Sequence, residues 1–289
     1  MKISSLDELP KYSQWPARLL GLIPWEAREK TEAEIEREFG REKWGSLLER
    51  FKSSPGARLE DVDGWAAGGP GPSLASVGEH IVEMTHEESH AAYLAFIEAA
   101  IEPFMPASAL VELGCGYGSV ILGLARRAAF QDIPYIAADY TSTGPELAGL
   151  IGAAEQIPVV TGLADLKRSP VTTLPVPPGA LIYTAYAAQY VEPITDAFVH
   201  GIAALAPKTV VHIEPVFEHC DPSTLLGLLR QRYIQANGYN RNLSTILHDH
   251  EARGSLEILH ESKPGFGPNP LLAASVIAWR PTASGLPTD

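Results

Sequence analysis

The sequence predicts an α/β fold: a doubly wound (Rossmann-like), mostly parallel seven-stranded sheet with helices on both faces, preceded by a helical extension. Two observations predict it. A short apolar run at 109–113 enters a glycine-rich loop, and a helical pattern at 119–129 leaves that loop. From 108 to about 280, strand-like segments alternate with helix-like segments, which is the pattern of parallel strands joined by crossover helices.

The remaining core elements follow from apolar runs, from the positions of glycine and proline, and from helical spacing. Further strands are expected at 133–139, 158–161, 180–185 and 209–214, with two later ones near 256–261 and 272–279. Helices are expected at 145–154, 194–205 and 222–236. The core domain therefore runs from 108 to 280, and a tail at 281–289 is expected to fray.

Residues 1–107 precede the first core strand and are predicted to form a helical extension. Thr31 and Glu34 have the spacing of a helix capping box. Behind that box, apolar residues recur at helical spacing: Ile35, Phe39, Trp44, Leu47, Leu48 and Phe51. A Gly- and Pro-rich loop at 64–73 then leads to a second predicted helix at 77–101.

Composition excludes several classes of protein. The 289 residues carry a formal net charge of −13, which argues against a nucleic-acid partner and slightly favours a neutral or cationic substrate. The two cysteines give no reason to expect a disulfide, and one of them lies within the glycine loop. We find neither a signal-peptide pattern nor a run of 18 apolar residues, so we expect a cytoplasmic protein without membrane contact. The oligomeric state stays open.

The glycine loop has a specific spacing. Glu112 stands two residues before the first of three glycines, Gly114, Gly116 and Gly118, and Asp139 ends the next strand. A dinucleotide fingerprint would have a different spacing, G-x-G-x-x-G. The observed E-x-G-x-G-x-G resembles motif I of the class I S-adenosylmethionine-dependent methyltransferases. A nicotinamide or nucleotide-sugar fold is the alternative.

The resemblance implies S-adenosyl-L-methionine as cofactor and assigns its contacts. The glycine loop would approach the methionine part, Glu112 would orient that loop or reach the amino group through water, and Asp139 would hold the ribose. Tyr140 could stack on the adenine, and Asp165 is the candidate for its amino group. The full set of predicted cofactor-binding residues is Glu112, Gly114, Cys115, Gly116, Asp139, Tyr140, Asp165 and Thr184.

Catalytic and substrate residues are expected where the later strands end. His219 is the candidate general base because its unperturbed pKa lies near neutrality. The predicted catalytic residues are His219, Glu214 and Tyr186, and the predicted substrate-binding residues are Tyr190, Gln189, Glu218, His86 and Tyr93. His219, Cys220 and Asp221 lack the spacing of a metal site, so no metal is expected.

These residues lead to a functional hypothesis: an enzyme that transfers a methyl group to a small polar metabolite at nitrogen, such as an amine, an amino acid or a guanidine. Acidic residues that follow the fifth strand suggest the cationic substrate: Glu214, Glu218, Asp221, Asp249 and Glu251. The alternatives are an O-methyltransferase of a small molecule, a protein or peptide methyltransferase, and a non-catalytic binding protein. A closed site under 77–101 would favour a metabolite, and an open groove would favour a peptide.

Overall fold

A computed structural model describes residues 2–25, 31–67, 71–169 and 171–282. Most of the predicted tail, from residue 283 on, lies outside these ranges. Within them, ten strands form one sheet in the order β1-β3-β2-β9-β10-β8-β7-β4-β5-β6. The strands are β1 Lys2–Ser4, β2 Pro72–Val77, β3 His80–Thr85, β4 Leu110–Leu113, β5 Tyr135–Asp139, β6 Val159–Leu163, β7 Leu181–Ala185, β8 Thr209–Glu214, β9 Leu256–Gly267 and β10 Ala274–Pro281.

Helices cover both faces of this sheet. Those of the extension are α1 Leu9–Tyr12, α2 Trp15–Leu19, α3 Glu32–Ile35, a π-helix Glu36–Gly45, α4 Ser46–Lys52, α5 Leu59–Ala66 and α6 His86–Ile101. Those of the core are α7 Ser119–Ala125, α8 Thr143–Glu155, α9 Asp196–Ala203, α10 Leu225–Ala236 and α11 Leu243–Ala252. The predicted core helices are present with shifted ends, and α11 was not predicted.

The predicted parallel core is formed by β6, β5, β4, β7 and β8, which pair in parallel. β10 then joins β8 antiparallel and β9 joins β10 antiparallel, so the two later strands expected from the sequence form a hairpin. β4 pairs with β5 on one side and with β7 on the other, so strand order reverses at β4. Ligands of open α/β sheets bind at this reversal, beyond the carboxyl ends of the strands.

The prediction of a mostly parallel, seven-stranded sheet was wrong for the sheet as a whole. Five of the nine pairings between described strands are antiparallel, because β1, β2 and β3 extend the sheet beyond β9. The sequence was read as helical from 77, but β3 occupies His80–Thr85. Gly78, with φ of +57°, makes the turn that returns the chain into this strand. The helix begins only at His86, where Thr85 and Glu88 form a capping box.

A buried cation ties this added sheet to the core. The Arg230 side chain, 1% exposed, donates to the carbonyl oxygen of Gly78 at 2.9 Å and to the Glu79 carboxylate at 2.7 Å. Its Nε also donates to the Pro270 carbonyl oxygen at 3.0 Å. One guanidinium therefore joins the turn between β2 and β3 to the loop between β9 and β10.

The hydrophobic core forms two layers, one on each face of the parallel strands. Neighbouring residues of β4 point to opposite layers, with Leu110 in the layer of α6, α7 and α8, and Val111 in the layer of α9 and α11. His212 lies in the middle of β8, where it accepts a hydrogen bond from Trp279 Nε1 at 3.0 Å. Burial lowers the pKa of His212 to about 3, so it is a neutral core residue.

Candidate active site

A cavity of about 340 Å³ lies beyond the carboxyl ends of β4, β5, β6 and β7. This is the position at which strand order reverses, and the volume is within the range of small-molecule sites. The loops that follow these strands line it together with Tyr93 of α6 and with residues 31–45, which we call the cover. The lining of the cavity includes Glu32, Phe39, Trp44, Tyr93, Glu112, Gly114, Cys115, Gly116, Tyr117, Asp139, Tyr140, Thr141, Asp165, Lys167, Tyr186, Gln189 and Tyr190.

The glycine loop is held against β5. The Gly114 and Cys115 N–H groups both donate to the Ala138 carbonyl oxygen, at 2.7 and 3.0 Å. Gly114 has φ of +89°, and a Cβ there would lie 2.1 Å from the Ala187 side chain. Only glycine therefore fits at Gly114, because both its backbone conformation and its packing exclude a side chain.

Asp139 connects the glycine loop to the next loop. Its Oδ2 accepts the Gly116 N–H at 2.9 Å, and its Oδ1 accepts the N–H and hydroxyl of Thr141, both at 2.9 Å. A carboxylate offers about four lone-pair sites, so these three bonds leave acceptor capacity for a ligand. Asp139 thus both shapes the cavity and offers it a negatively charged acceptor.

Glu112 lies on the cavity wall at the end of β4 and is 2% exposed overall. Its Oε2 accepts the Ile121 N–H of α7 at 3.2 Å. Burial raises the pKa of Glu112 to about 8. A cationic ligand group in the cavity would favour the ionised form, so this carboxyl suits the ammonium of an amino acid.

The cover lies over the glycine loop, although the sequence indicated 77–101 as the segment above the site. The Trp44 ring is so close to Gly116 that a Cβ there would lie 3.0 Å from it. The Thr143 hydroxyl donates to the Gly40 carbonyl oxygen at 2.7 Å, which joins the cover to the start of α8. The helical spacing of Phe39 and Trp44 was visible in the sequence, but nothing local indicated which core surface these rings would contact.

Residues 186–190, which we call the β7 turn, are built around a buried carboxylate. Oε1 of Glu214 accepts the N–H groups of Ala187 and Ala188 at 3.0 Å each, and its Oε2 accepts the Gln189 N–H at 3.3 Å. Tyr186 has φ of +56°, a strained conformation for a tyrosine. Its hydroxyl donates to the Leu272 carbonyl oxygen at 2.7 Å.

The turn explains why Glu214 does not line the cavity. Its carboxylate is 1% exposed, its acceptor sites serve backbone N–H groups, and burial raises its pKa to about 7. Glu214 therefore supports the site from behind, although the sequence assigned it a catalytic role. Thr184, predicted to bind the cofactor, also lies outside the cavity, since its hydroxyl contacts His212 Nδ1 at 2.9 Å in the core.

The structure does not bring the other residues after β8 to the cavity. His219, the candidate base, is buried against Glu261, with 2.7 Å between its Nε2 and the carboxylate. The Glu218 carboxylate accepts the Thr245 N–H at 3.0 Å at the start of α11. Helix α11 was not predicted, so nothing in the sequence indicated that Glu218 had a partner there. His86 stands at the first turn of α6 and does not line the cavity either.

Other predicted residues do meet at the cavity. Cys115, Tyr140 and Asp165 line the side formed by the loops after β4, β5 and β6, and Tyr93, Tyr186, Gln189 and Tyr190 line the side formed by α6 and the β7 turn. Asp165 accepts the Lys167 N–H at 2.9 Å and pairs with Arg168 Nε at 2.8 Å. Sequence reasoning missed Asp63 of α5, which accepts the hydroxyls of Tyr117 at 2.9 Å and Ser119 at 2.7 Å.

The residues that the structure describes contain neither a candidate metal site nor a candidate membrane-spanning helix. Within them, no group of three or more His, Cys, Asp or Glu side chains has an arrangement that could hold a metal ion. None of the helices in these ranges combines the length and the apolarity that crossing a membrane requires.

No protein-family model and no curated protein matches the chain. Among solved structures, the pyocyanin biosynthetic protein PhzM superposes with a TM-score of 0.51 at 16% identity, over 96% of this chain and 70% of that one. The chain has the fold of the class I S-adenosylmethionine-dependent methyltransferases. The predicted resemblance is thereby confirmed at the level of the fold.

Two further solved structures are more distant. PigF, solved with SAH, has a TM-score of 0.44 at 14% identity, over 65% of this chain. NcsB1, an O-methyltransferase from neocarzinostatin biosynthesis solved with SAH and 1,4-dihydroxy-2-naphthoic acid, has a TM-score of 0.46 at 14% identity, over 68% of this chain. The matched regions span little more than half of these two proteins, 55% of PigF and 58% of NcsB1.

Proposed function

We propose that this protein is an S-adenosylmethionine-dependent methyltransferase with a small-molecule acceptor. The observation that carries the proposal is the cavity at the strand-order reversal, where Asp139 is hydrogen-bonded to the glycine loop and Glu112 lies at its base. These groups fit the cofactor: a carboxylate for the ribose diol, a buried carboxyl for the ammonium, and an open loop between them.

When bound, the cofactor supplies a methyl group that its sulfonium already activates. The remaining tasks fall to the chain itself. Asp139 would hold the ribose, Glu112 and the glycine loop would hold the methionine part, and Tyr140 with Asp165 would enclose the adenine. Methyl transfer needs an acceptor aligned with the methyl group and the sulfur, and it needs a site without water. The β7 turn would orient the acceptor, and the cover would exclude water.

A small acceptor is supported by the enclosure of the site. The cavity of about 340 Å³ lies beneath the cover and beside Tyr93, and it has the size of a small-molecule site rather than of a peptide groove. None of the five acidic residues that suggested a nitrogen acceptor lines the cavity. The acceptor chemistry must instead be inferred from the cavity residues.

Isothermal titration calorimetry with S-adenosylmethionine and S-adenosylhomocysteine tests the proposal. The wild-type protein should bind both, and Asp139→Ala should weaken binding at least about tenfold, because charge-assisted hydrogen bonds contribute ~1.5–3 kcal/mol. Asp249→Ala, on the exposed side of α11, is the matched control and should leave binding unchanged. Failure of the wild-type protein to bind either compound would refute the proposed function.

A further inference from the structure

We infer that the acceptor is an uncharged aromatic compound that carries a hydroxyl or N–H group, and that Gln189 recognises this group with its amide oxygen. The inference rests on the proposed function and specifies its substrate class. It depends on three features of the described residues: the partners of the Gln189 amide, the rigidity of the β7 turn, and the aromatic and uncharged character of the neighbouring wall.

The Gln189 side chain is 4% exposed and lines the cavity. Its Nε2 donates to the Tyr186 carbonyl oxygen at 3.0 Å, and since a carbonyl can only accept, this contact fixes the orientation of the amide. The other amide atom, Oε1, is buried and has no hydrogen-bond partner among the residues that the structure describes. A buried acceptor without a partner is costly, so a donor from a bound molecule would satisfy it.

The β7 turn holds this amide in place. The Glu214 carboxylate accepts three successive N–H groups of the turn, including that of Gln189 itself. Tyr186 is kept at φ of +56°, a conformation that persists only where surrounding contacts enforce it. The position of Oε1 is therefore established before an acceptor molecule binds, which is the arrangement that a recognition group requires.

The wall beside Gln189 consists of four rings, Phe39, Tyr93, Tyr186 and Tyr190, which we call the aromatic wall. Tyr93 and Tyr186 meet edge to face at 5.7 Å, and Phe39 meets Tyr190 edge to face at 5.2 Å. Such rings offer flat apolar surfaces and polarised edges, which favour the faces and edges of another aromatic ring. A planar aromatic molecule fits this environment better than an aliphatic chain does.

Charge is distributed unevenly around the cavity. The charged lining residues among the described ones come from β4, from the loops after β5 and β6, and from the cover: Glu112, Asp139, Asp165, Lys167 and Glu32. Neither α6 nor the β7 turn contributes a charged group to the described lining. An ionic acceptor placed against the aromatic wall would lose its hydration without gaining an ion partner there, so this side favours a neutral molecule.

Matched probes test the inference without knowledge of the natural acceptor. With S-adenosylhomocysteine saturating, the dissociation constants of 2-naphthol, naphthalene and 2-methoxynaphthalene are measured by fluorescence titration. The wild-type protein should bind 2-naphthol about fivefold to thirtyfold more tightly than the other two, which have no hydrogen to donate. Gln189→Leu should reduce this preference to about twofold or less with the affinity for S-adenosylhomocysteine unchanged. Gln131→Leu, an exposed glutamine outside the cavity, should behave as the wild type.

The comparison of 2-naphthol with 2-methoxynaphthalene on the wild-type protein requires no substitution, so it stands even if Gln189→Leu fails to fold. Equal binding of these two probes, an undiminished preference in Gln189→Leu, or tighter binding of 2-naphthylmethylammonium than of 2-naphthol would overturn the inference. Binding of S-adenosylhomocysteine without binding of any naphthalene would overturn it while leaving the proposed function intact. Absence of S-adenosylhomocysteine binding would refute both.

Discussion

The raised pKa of Glu112 predicts how the stability of the ligand-free protein depends on pH. The substitution is Glu112→Gln, which keeps an acceptor for the Ile121 N–H and cannot ionise. Below pH 4.5 the Glu112 carboxyl is protonated in both the folded and the unfolded chain, so its titration does not change the free energy of unfolding there. Between 4.5 and about 8 the unfolded chain ionises this group and the folded protein does not, so the free energy of unfolding falls as pH rises.

The magnitude follows from the two pKa values. Each pH unit between these values lowers the free energy of unfolding by ~1.4 kcal/mol. Over the interval from the ordinary pKa of 4.5 to about 8, the loss is roughly 5 kcal/mol, and it is complete above pH 8. Glu112→Gln should therefore match the wild type near pH 4 and exceed it increasingly towards pH 8.5. The wild type should recover most of the difference when S-adenosylmethionine is bound, because its ammonium favours the ionised carboxylate.

Urea unfolding of both proteins at pH 4.5, 6, 7 and 8.5, followed by tryptophan fluorescence, measures this difference. The pKa of Glu214 is also raised, to about 7, but Glu214 is present in both proteins and its contribution cancels in the comparison. A difference in unfolding free energy that stays constant across this pH range would refute the reasoning, because it would mean that Glu112 is already ionised in the folded protein.

Two further predictions concern the contact between the glycine loop and the cover. Gly116→Val should abolish S-adenosylhomocysteine binding in calorimetry while circular dichroism shows an intact fold, because a Cβ there would lie 3.0 Å from the Trp44 ring at a φ of +52°; normal binding would mean that the loop has been assigned wrongly. Trp44→Ala should raise the dissociation constant of S-adenosylhomocysteine about tenfold by opening the wall above the loop, with Trp25→Ala as a control outside the cavity lining. An unchanged constant for Trp44→Ala would show that the cover does not enclose the cofactor.

The part of the cavity formed by the glycine loop and Asp139 could be predicted from the sequence because its determinants are local. The glycine loop follows its own strand, and Asp139 stands at the end of the next parallel strand, so spacing along the chain sets their distance in space. Their hydrogen bond at 2.9 Å confirms the predicted proximity.

The part of the cavity formed by α6 and the β7 turn could not be predicted in the same way because its determinants lie far apart in the chain. An acid at the end of β8 can face a ligand or bind the turn of the neighbouring strand, and Glu214 does the latter because the β7 turn presents three N–H groups to it. Tyr186 and Gln189 lie in the predicted region, but the φ of +56° and the orphaned amide oxygen depend on contacts that spacing does not encode. Phe39 contacts Tyr190 across about 150 residues of sequence.

The placement of the cover between strands that join one sheet has a mechanical consequence. β1 precedes the cover and β2 follows it, both pair with β3, and Arg230 ties the turn after β2 to the core. The cover is therefore a span supported at both ends, and it is not a flap on a single hinge. If a ligand enters by bending of this span, the rate of exchange should depend on the wide π-helical turns at Gly40 and Gly45, and little on the strands that anchor them.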